Sequence, residues 1–145
     1  MITVKQVGPS DVDLYRAIRL QAMEEDPEWF EVGSECEAQL SDEEWADRVS
    51  QLESDRTAVF LALAEGVPCG LAEVFVSDDD PHRPRLAPLW VASGHGRRAI
   101  NEALTGAAFA WANMRGDRVV RVSFRPGVHL YMKVHCSVRE RRRSE

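Results

Sequence analysis

The sequence predicts one α/β domain, of the α+β kind: a mixed, mostly antiparallel sheet flanked by helices, in the order β-α-α-β-β-β-α-β-α. Three observations carry this. Two apolar runs of strand length, Thr57–Ala64 and Gly70–Val76, are separated by the turn pair Glu65-Gly66, which reads as an antiparallel hairpin. A further apolar strand ending Leu89-Trp90-Val91 passes through a small, basic, glycine-containing loop into an alanine-rich helix, and a β-branched strand follows that helix at once. A strand, a helix and a strand in that succession favour parallel neighbours joined by a crossover.

The elements follow in order. Ile2 to Val7 alternates apolar and polar residues, the period of a half-buried strand, and Gly8-Pro9 ends it. Ser10 is an N-cap candidate for an amphipathic helix to about Glu24, with Asp11 and Asp13 in its first turn and Leu14, Ile18 and Ala22 at helical spacing. Residues 25–40 hold a Pro, a Gly, Trp29, Phe30 and several acids, and read as a loop with a short helical turn. Such a loop either receives a cationic substrate or is a solvated connection with its aromatics tucked inward. Ser41 with Glu44 forms a capping box, and Trp45, Val49 and Leu52 mark a second helix to about Ser54.

Both hairpin strands are apolar on both faces, which calls for helices on each side of the sheet. Glu73 stands out among them: it lies either at a cleft, where burial would raise its pKa and suit it to take a proton from an amine, or on an exposed edge. Residues 77–84 read as a polar surface loop whose three aspartates make a solvated turn, and no metal site is expected. The next strand, Arg85 to Val91, carries Pro88, tolerated at a bulge or where neighbouring strands splay apart. Ala99 to Arg115 is the strongest helix pattern, stopped by Gly116. Arg118 to Phe124 is a strand, and Pro126 is placed to open a short helix to about His135 carrying Val128, Leu130, Tyr131 and Val134. Residues 1–138 thus form the single domain, His135 to Val138 a strand stub, and residues 139–145 a basic tail.

Totals restrict function. The chain of 145 residues has a net charge of -6, with 44% hydrophobic and 29% charged residues, an ordinary balance that argues against nucleic-acid binding. Three widely spaced cysteines, Cys36, Cys69 and Cys136, suggest neither disulfides nor zinc. No signal layout or membrane-spanning run is present, so a cytoplasmic protein without a membrane partner is expected. The strand, basic loop and helix N-terminus from Leu86 onward form a cradle for a phosphorylated ligand, because free N–H groups and the positive end of the helix dipole face the anion.

This order of elements, with the Leu89-Trp90-Val91 strand end and the Leu104, Ala110, Trp111-Ala112 spacing, resembles the GCN5-related N-acetyltransferases over roughly residues 1 to 135. The resemblance implies acetyl-CoA as donor and direct transfer of an acetyl group to a primary amine of a small molecule or peptide. It places pantetheine along Leu89, Trp90 and Val91, the pyrophosphate on Gly96, Arg97, Arg98, Ala99, Ile100 and Asn101, and the general acid at Tyr131, which by pattern alone reads first as a core aromatic on an amphipathic helix. Glu73 is the candidate base, with an acid from the Glu28 to Glu37 loop as the alternative. Against the family pattern, Gly96 stands where Gln or Arg is expected, Ala99 where the first Gly is, and Asn101 where Gly or Ala is. Phe124, Gly127 and His135-Cys136 also depart from it, and the family's final strands are expected to be missing, leaving a sheet edge open or satisfied in a homodimer. The rival expectation is a catalytically impaired domain of this type, a weak acyl-CoA binder or interaction module.

Overall fold

A computed structural model describes residues 1–30, 33–92 and 96–134. Among these residues the α-helices are α1 (Val12–Glu25), α2 (Ser34–Ala38), α3 (Asp42–Ser50) and α4 (Arg97–Arg115); the strands are β1 (Ile2–Gln6), β2 (Thr57–Ala64), β3 (Val67–Ser77), β4 (Asp80–Val91), β5 (Val119–Arg125) and β6 (Val128–Lys133). They form one six-stranded sheet in sequence order, antiparallel throughout except for the parallel β4–β5 pair.

Strand alternation divides the core in two. Ala58, Phe60, Ala62, Ala72, Val74, Leu86, Leu89, Val120 and Val122 face α4, whose Ile100, Leu104, Ala108 and Ala112 complete that layer. Val59, Leu61, Leu71 and Trp90 face the other way, beneath Tyr15 and Ile18 of α1 and Trp45 and Val49 of α3. Helix α4 sits close because β3 offers Gly70 beneath it: a Cβ there would lie 2.9 Å from both Ile100 Cγ2 and Leu104 Cδ1.

Local signals explain most element ends. Ser41 and Glu44 exchange backbone and side-chain hydrogen bonds at 2.9 and 3.1 Å, the expected capping box. Gly116, at φ +94°, closes α4 as a left-handed C-cap. The entry to α1 differs from the Ser10 expectation: a 3-10 turn, Pro9–Asp11, precedes it, and the Asp11 carboxylate accepts from Gly8 N–H at 2.8 Å. Strand β4 starts five residues earlier than expected. Asp78 and Asp79 alone make the turn, and His82, Arg83 and Pro84 extend the strand where irregular pairing with β3 tolerates prolines.

The largest correction is at the end. Among the described residues the element after β5 is a strand and not a helix; Pro126-Gly127 is a two-residue turn with Gly127 at φ +78°, and Tyr131 lies on the strand β6. Proline at the first and glycine at the second central position satisfy a type II turn, with positive φ falling where no side chain resists it. One strand beyond β5 is therefore present, paired from Arg125↔Val128 to Val119↔Lys133. The expected strand stub and basic tail lie outside the described residues.

Candidate functional site

The site grows from a fault in the sheet. β4 and β5 pair only at Arg85↔Arg121 and Leu86↔Val122. Directly above, β4 bulges: Ala87 and the cis Pro88 together oppose the single residue Glu73 of β3. The bulge resets the alternation, so Leu89 faces α4 as Leu86 does. Beyond it, Ala92 N–H donates to the Cys69 carbonyl at 2.8 Å, which fixes the parity of the strand end. Trp90 shares that direction and is the ladder partner of Leu71, whereas Leu89 and Val91 turn their backbone groups toward β5, which does not pair there. Pro88 meets both conditions anticipated for it, bulge and splay.

The N-terminus of α4 packs near this strand end, with Ile100 against Gly70, the ladder partner of Val91. Its cap residue Gly96 makes no side-chain cap, and the first helical hydrogen bond runs from Ile100 N–H to the Gly96 carbonyl at 3.2 Å. The amides of Arg97, Arg98 and Ala99 precede that bond and face outward with the helix dipole behind them. Gly96, Arg97, Arg98 and Ala99 are exposed. Ile100 is a correction to the expected set: its N–H is satisfied within the helix and its side chain is core, so it supports the turn and offers no donor. Asn101 accepts from Thr105 Oγ1 at 3.3 Å and lines an open groove of about 700 Å³ along α4 with Arg97 and Arg98. Arg98 also reaches Glu102 at 3.1 Å, an exposed pair that holds it weakly. The loop residues Ser93 to His95 lie outside the described set. The side chains of Leu89, Trp90 and Val91 are buried, so what this strand can give a ligand is backbone.

On the face away from α4, Glu73 flanks the gap. It is not on an edge strand: β3 lies between β2 and β4, and α1 packs over it. One oxygen, Oε2, receives Arg19 Nη1 at 2.5 Å. Arg19 in turn grips Glu37 of α2 through Nε at 2.8 Å and Nη2 at 3.2 Å, Arg48 of α3 bonds the same Glu37 at 2.7 Å, and the Phe30 ring lies 5.0 Å beneath the Arg19 guanidinium. Burial pushes the Glu73 carboxyl above the ordinary carboxylate range despite Arg19. Glu37 goes the other way: burial would raise it, but the hydrogen bond and charge of Arg19 and the charge of Arg48 hold it down. Two carboxylates of one cluster are thus split, one toward proton acceptance and one fixed as a counter-ion. Arg19 and Arg48 were not among the expected site residues; Glu37 closes the Glu28 to Glu37 stretch offered as the alternative base, and its two arginine partners fix it as a counter-ion instead. An arginine between Ile18 and Leu20 on an amphipathic helix was the available signal.

Tyr131 does not join this group. It is half-exposed on β6, opposite Arg121, with Arg83 5.2 Å from its ring centroid and His129 edge-on at 5.7 Å. That places it two strands from β4 and one row below the gap.

The residues fit an acyl-CoA: exposed amides and arginines for the diphosphate, and unpaired strand groups for an amide-bearing arm. The sequence model described as the acetyltransferase (GNAT) family matches residues 20–135. No curated protein sequence matches the chain significantly. Among solved structures, the chain is similar to an acetyltransferase of the GNAT family from Streptococcus pneumoniae, at 17% identity and TM-score 0.66, over 84% of this chain and 73% of that one. It is similar to AAC(6')-Iy, solved in complex with the bisubstrate analogue CoA-S-monomethyl-acetylneamine, at 21% identity and TM-score 0.63, over 88% and 82%. An aminoglycoside acetyltransferase from an uncultured soil metagenomic sample matches at 23% identity and TM-score 0.64, over 85% and 79%. These likenesses show a shared fold, and the family match spans most of the chain: the protein belongs to the GNAT acetyltransferase family.

Proposed function

We propose that the protein transfers an acetyl group from acetyl-CoA directly to a primary amine of a small molecule or peptide. The observation that carries this reading is the gap above Leu86↔Val122, where Leu89 and Val91 present backbone groups that no described strand pairs, close to the N-terminus of α4. Acetyl-CoA would supply the acetyl thioester, whose carbonyl carbon bonds the amine nitrogen as its bond to sulfur breaks. Leu89 and Val91 hold the pantetheine arm by backbone hydrogen bonds, and one of their N–H groups meets the oxygen on which charge develops. The amides of Arg97, Arg98 and Ala99, with the two guanidinium groups, hold the diphosphate; Asn101 borders it. Glu73 takes the proton that the attacking ammonium must lose, its Oε2 anchored by Arg19. Water protonates the departing thiolate. Tyr131 lies about 10 Å across the sheet from β4 and below the gap, too far for the acid role the resemblance implies.

A second reading, an acyl-CoA binder without turnover, is favoured by one observation: the element after β5 is a strand that keeps Tyr131 away from the gap, so among the described residues no helix there brings an acid to it. Two experiments separate the readings. Isothermal titration with acetyl-CoA is expected to show binding that Arg98→Glu weakens roughly tenfold, more at low salt. Release of CoA thiol with a panel of amines is expected under the first reading only. No heat at millimolar acetyl-CoA would reject both.

A further inference from the structure

We infer that the acceptor is an amine that also carries a carboxylate or phosphate, and that Arg121 binds this anion beside the transfer gap. The inference rests on the proposed acetyl transfer and names its substrate class.

Directly paired residues of a sheet share a face. Phe75 pairs with Arg85, Arg85 with Arg121, and Arg121 with Tyr131, so these four form one row across β3 to β6. Glu73 has the parity of Phe75 and stands one step nearer the gap on the same face; across the gap, Ser123 and His129 occupy the corresponding step of β5 and β6. The opposite face belongs to α4, whose residues fill the core there. An amine that reaches the gap from the open face therefore meets Glu73 on one side and the Arg121 row at its base.

The cations in and beside this row are not equivalent. Arg85 is drawn to Asp79 and Arg83 to Asp80, each at 3.3 Å. Arg121 has no carboxylate within ion-pair distance among the described residues. Its Nη2 lies 3.2 Å from His129 Nδ1, and its Nε is buried without any hydrogen-bond partner. A planar fork without an acidic partner, set against the His129 imidazole and beside Arg85, is matched to the two oxygens of a carboxylate or phosphate. Asp79 and Glu73 are the acids that border the row; Asp79 is taken up by Arg85 and Glu73 by Arg19. A polycationic acceptor would bring its charges against Arg83, Arg85 and Arg121.

The test measures acetylation of two matched pairs, 4-aminobutanoate beside 4-aminobutanamide and 2-aminoethyl phosphate beside ethanolamine, with kanamycin as the polycation. The anionic member of at least one pair is expected to exceed its neutral partner in kcat/KM by about ten- to hundredfold. Which pair responds separates carboxylate from phosphate. Arg121→Gln is expected to bring that ratio near one and Arg121→Lys to restore only part of it, acetyl-CoA binding serving as the check that each variant is folded. Equal rates within both pairs, preference for kanamycin, or a ratio that survives Arg121→Gln would overturn the inference. Should no amine be acetylated, the transfer reading fails by itself and the anion site is judged by NMR. A shift of the Arg121 Nε–H resonance on titration with 4-aminobutanoate or 2-aminoethyl phosphate supports it, and no shift with either ligand rejects it.

Discussion

Gly70→Ala is the substitution that tests most directly how the sheet positions the donor site. The added methyl would sit 2.9 Å from Ile100 Cγ2, 2.9 Å from Leu104 Cδ1 and 3.2 Å from the Trp90 carbonyl oxygen. All three neighbours are constrained: both side chains are buried in the α4 layer, and the carbonyl belongs to the strand end that borders the gap. Overpacking of this kind costs about 1–3 kcal/mol. Against it stands the loss of glycine's freedom in the unfolded chain, which favours alanine by about 0.5–1 kcal/mol. Overpacking wins, for a net destabilisation of about 0.5–2 kcal/mol, or roughly 2–6 °C in Tm for a domain of this size. Because Ile100 is in the first turn of α4, the same wedge tilts the amides of Arg97, Arg98 and Ala99, and acetyl-CoA affinity is expected to fall with stability. Thermal unfolding and acetyl-CoA titration measure the two effects. Ile100→Leu in the Gly70→Ala background removes the Cβ branch that carries Cγ2 at nearly constant volume, so the double variant is expected to be more stable than the sum of the singles requires. A Gly70→Ala protein as stable as the parent, with additive pairing to Ile100→Leu, would refute the close approach of α4 to β3.

Glu73 must be ionised to accept a proton, and burial raises its pKa, so kcat/KM is expected to fall as pH drops through a value above the ordinary carboxylate range. Glu73→Gln is expected to lower kcat/KM by about a hundredfold and to abolish that limb of the pH profile; a retained limb would assign it to another group. Tyr131→Phe is expected to keep kcat within about threefold, whereas a loss beyond tenfold would reinstate the tyrosine as the acid. Asp11→Ala, which removes the acceptor for Gly8 N–H and the partner of Lys5, is expected to cost about 1 kcal/mol by denaturant titration. The hydrogen bond from Lys5 outweighs burial and holds the Asp11 carboxyl below its ordinary range, so its contribution is present above that range and is lost as pH falls through the lowered pKa. The variant is expected to show a correspondingly flatter stability profile in acid.

Elements whose signals are local were legible in the sequence. The Ser41 to Glu44 box, the Glu65-Gly66 turn and the Gly116 stop each need only neighbours a few residues away, and all three stand where the pattern puts them. Pro88 was legible too, because a proline inside an apolar strand has few tolerated settings. What failed was Pro126-Gly127, where proline was read as a helix opener although the glycine beside it supplies the positive φ of a turn. The alternation of Val128, Leu130 and Met132 carries the strand signal, whereas Val128, Tyr131 and Val134 recur at helical spacing after the proline. The setting of Glu73 was out of reach for a different reason: Arg19 is 54 positions away in sequence, and nothing local pairs the two. Ile100 was assigned by its place in a motif, and only the hydrogen-bond count of the helix start shows that its N–H is already used.

The hairpin that replaces the expected last helix also redistributes the chemistry of the site. A helix after β5 would carry an acid toward the gap and cover the open face. β6 instead continues the sheet, and its alternation sends Leu130 and Met132 toward the α4 side and His129 and Tyr131 to the face that Glu73 shares. The residue lost as an acid is thereby gained as a wall: Tyr131 carries Arg83 against its ring, and His129 meets Arg121. Under the proposed transfer, the donor half of the site rests on β3, β4 and α4, which resemble the family pattern in the strand end and in the helix. The acceptor half depends on β5 and β6, where the chain departs from that pattern most. Substitutions at Gly70 or Arg98 are therefore expected to act first on acetyl-CoA affinity, and substitutions at Arg121 first on the choice of amine. If Arg121→Gln weakened acetyl-CoA binding as much as Arg98→Glu does, the two halves would not be separate, and the assignment of the open face to the acceptor would have to be abandoned.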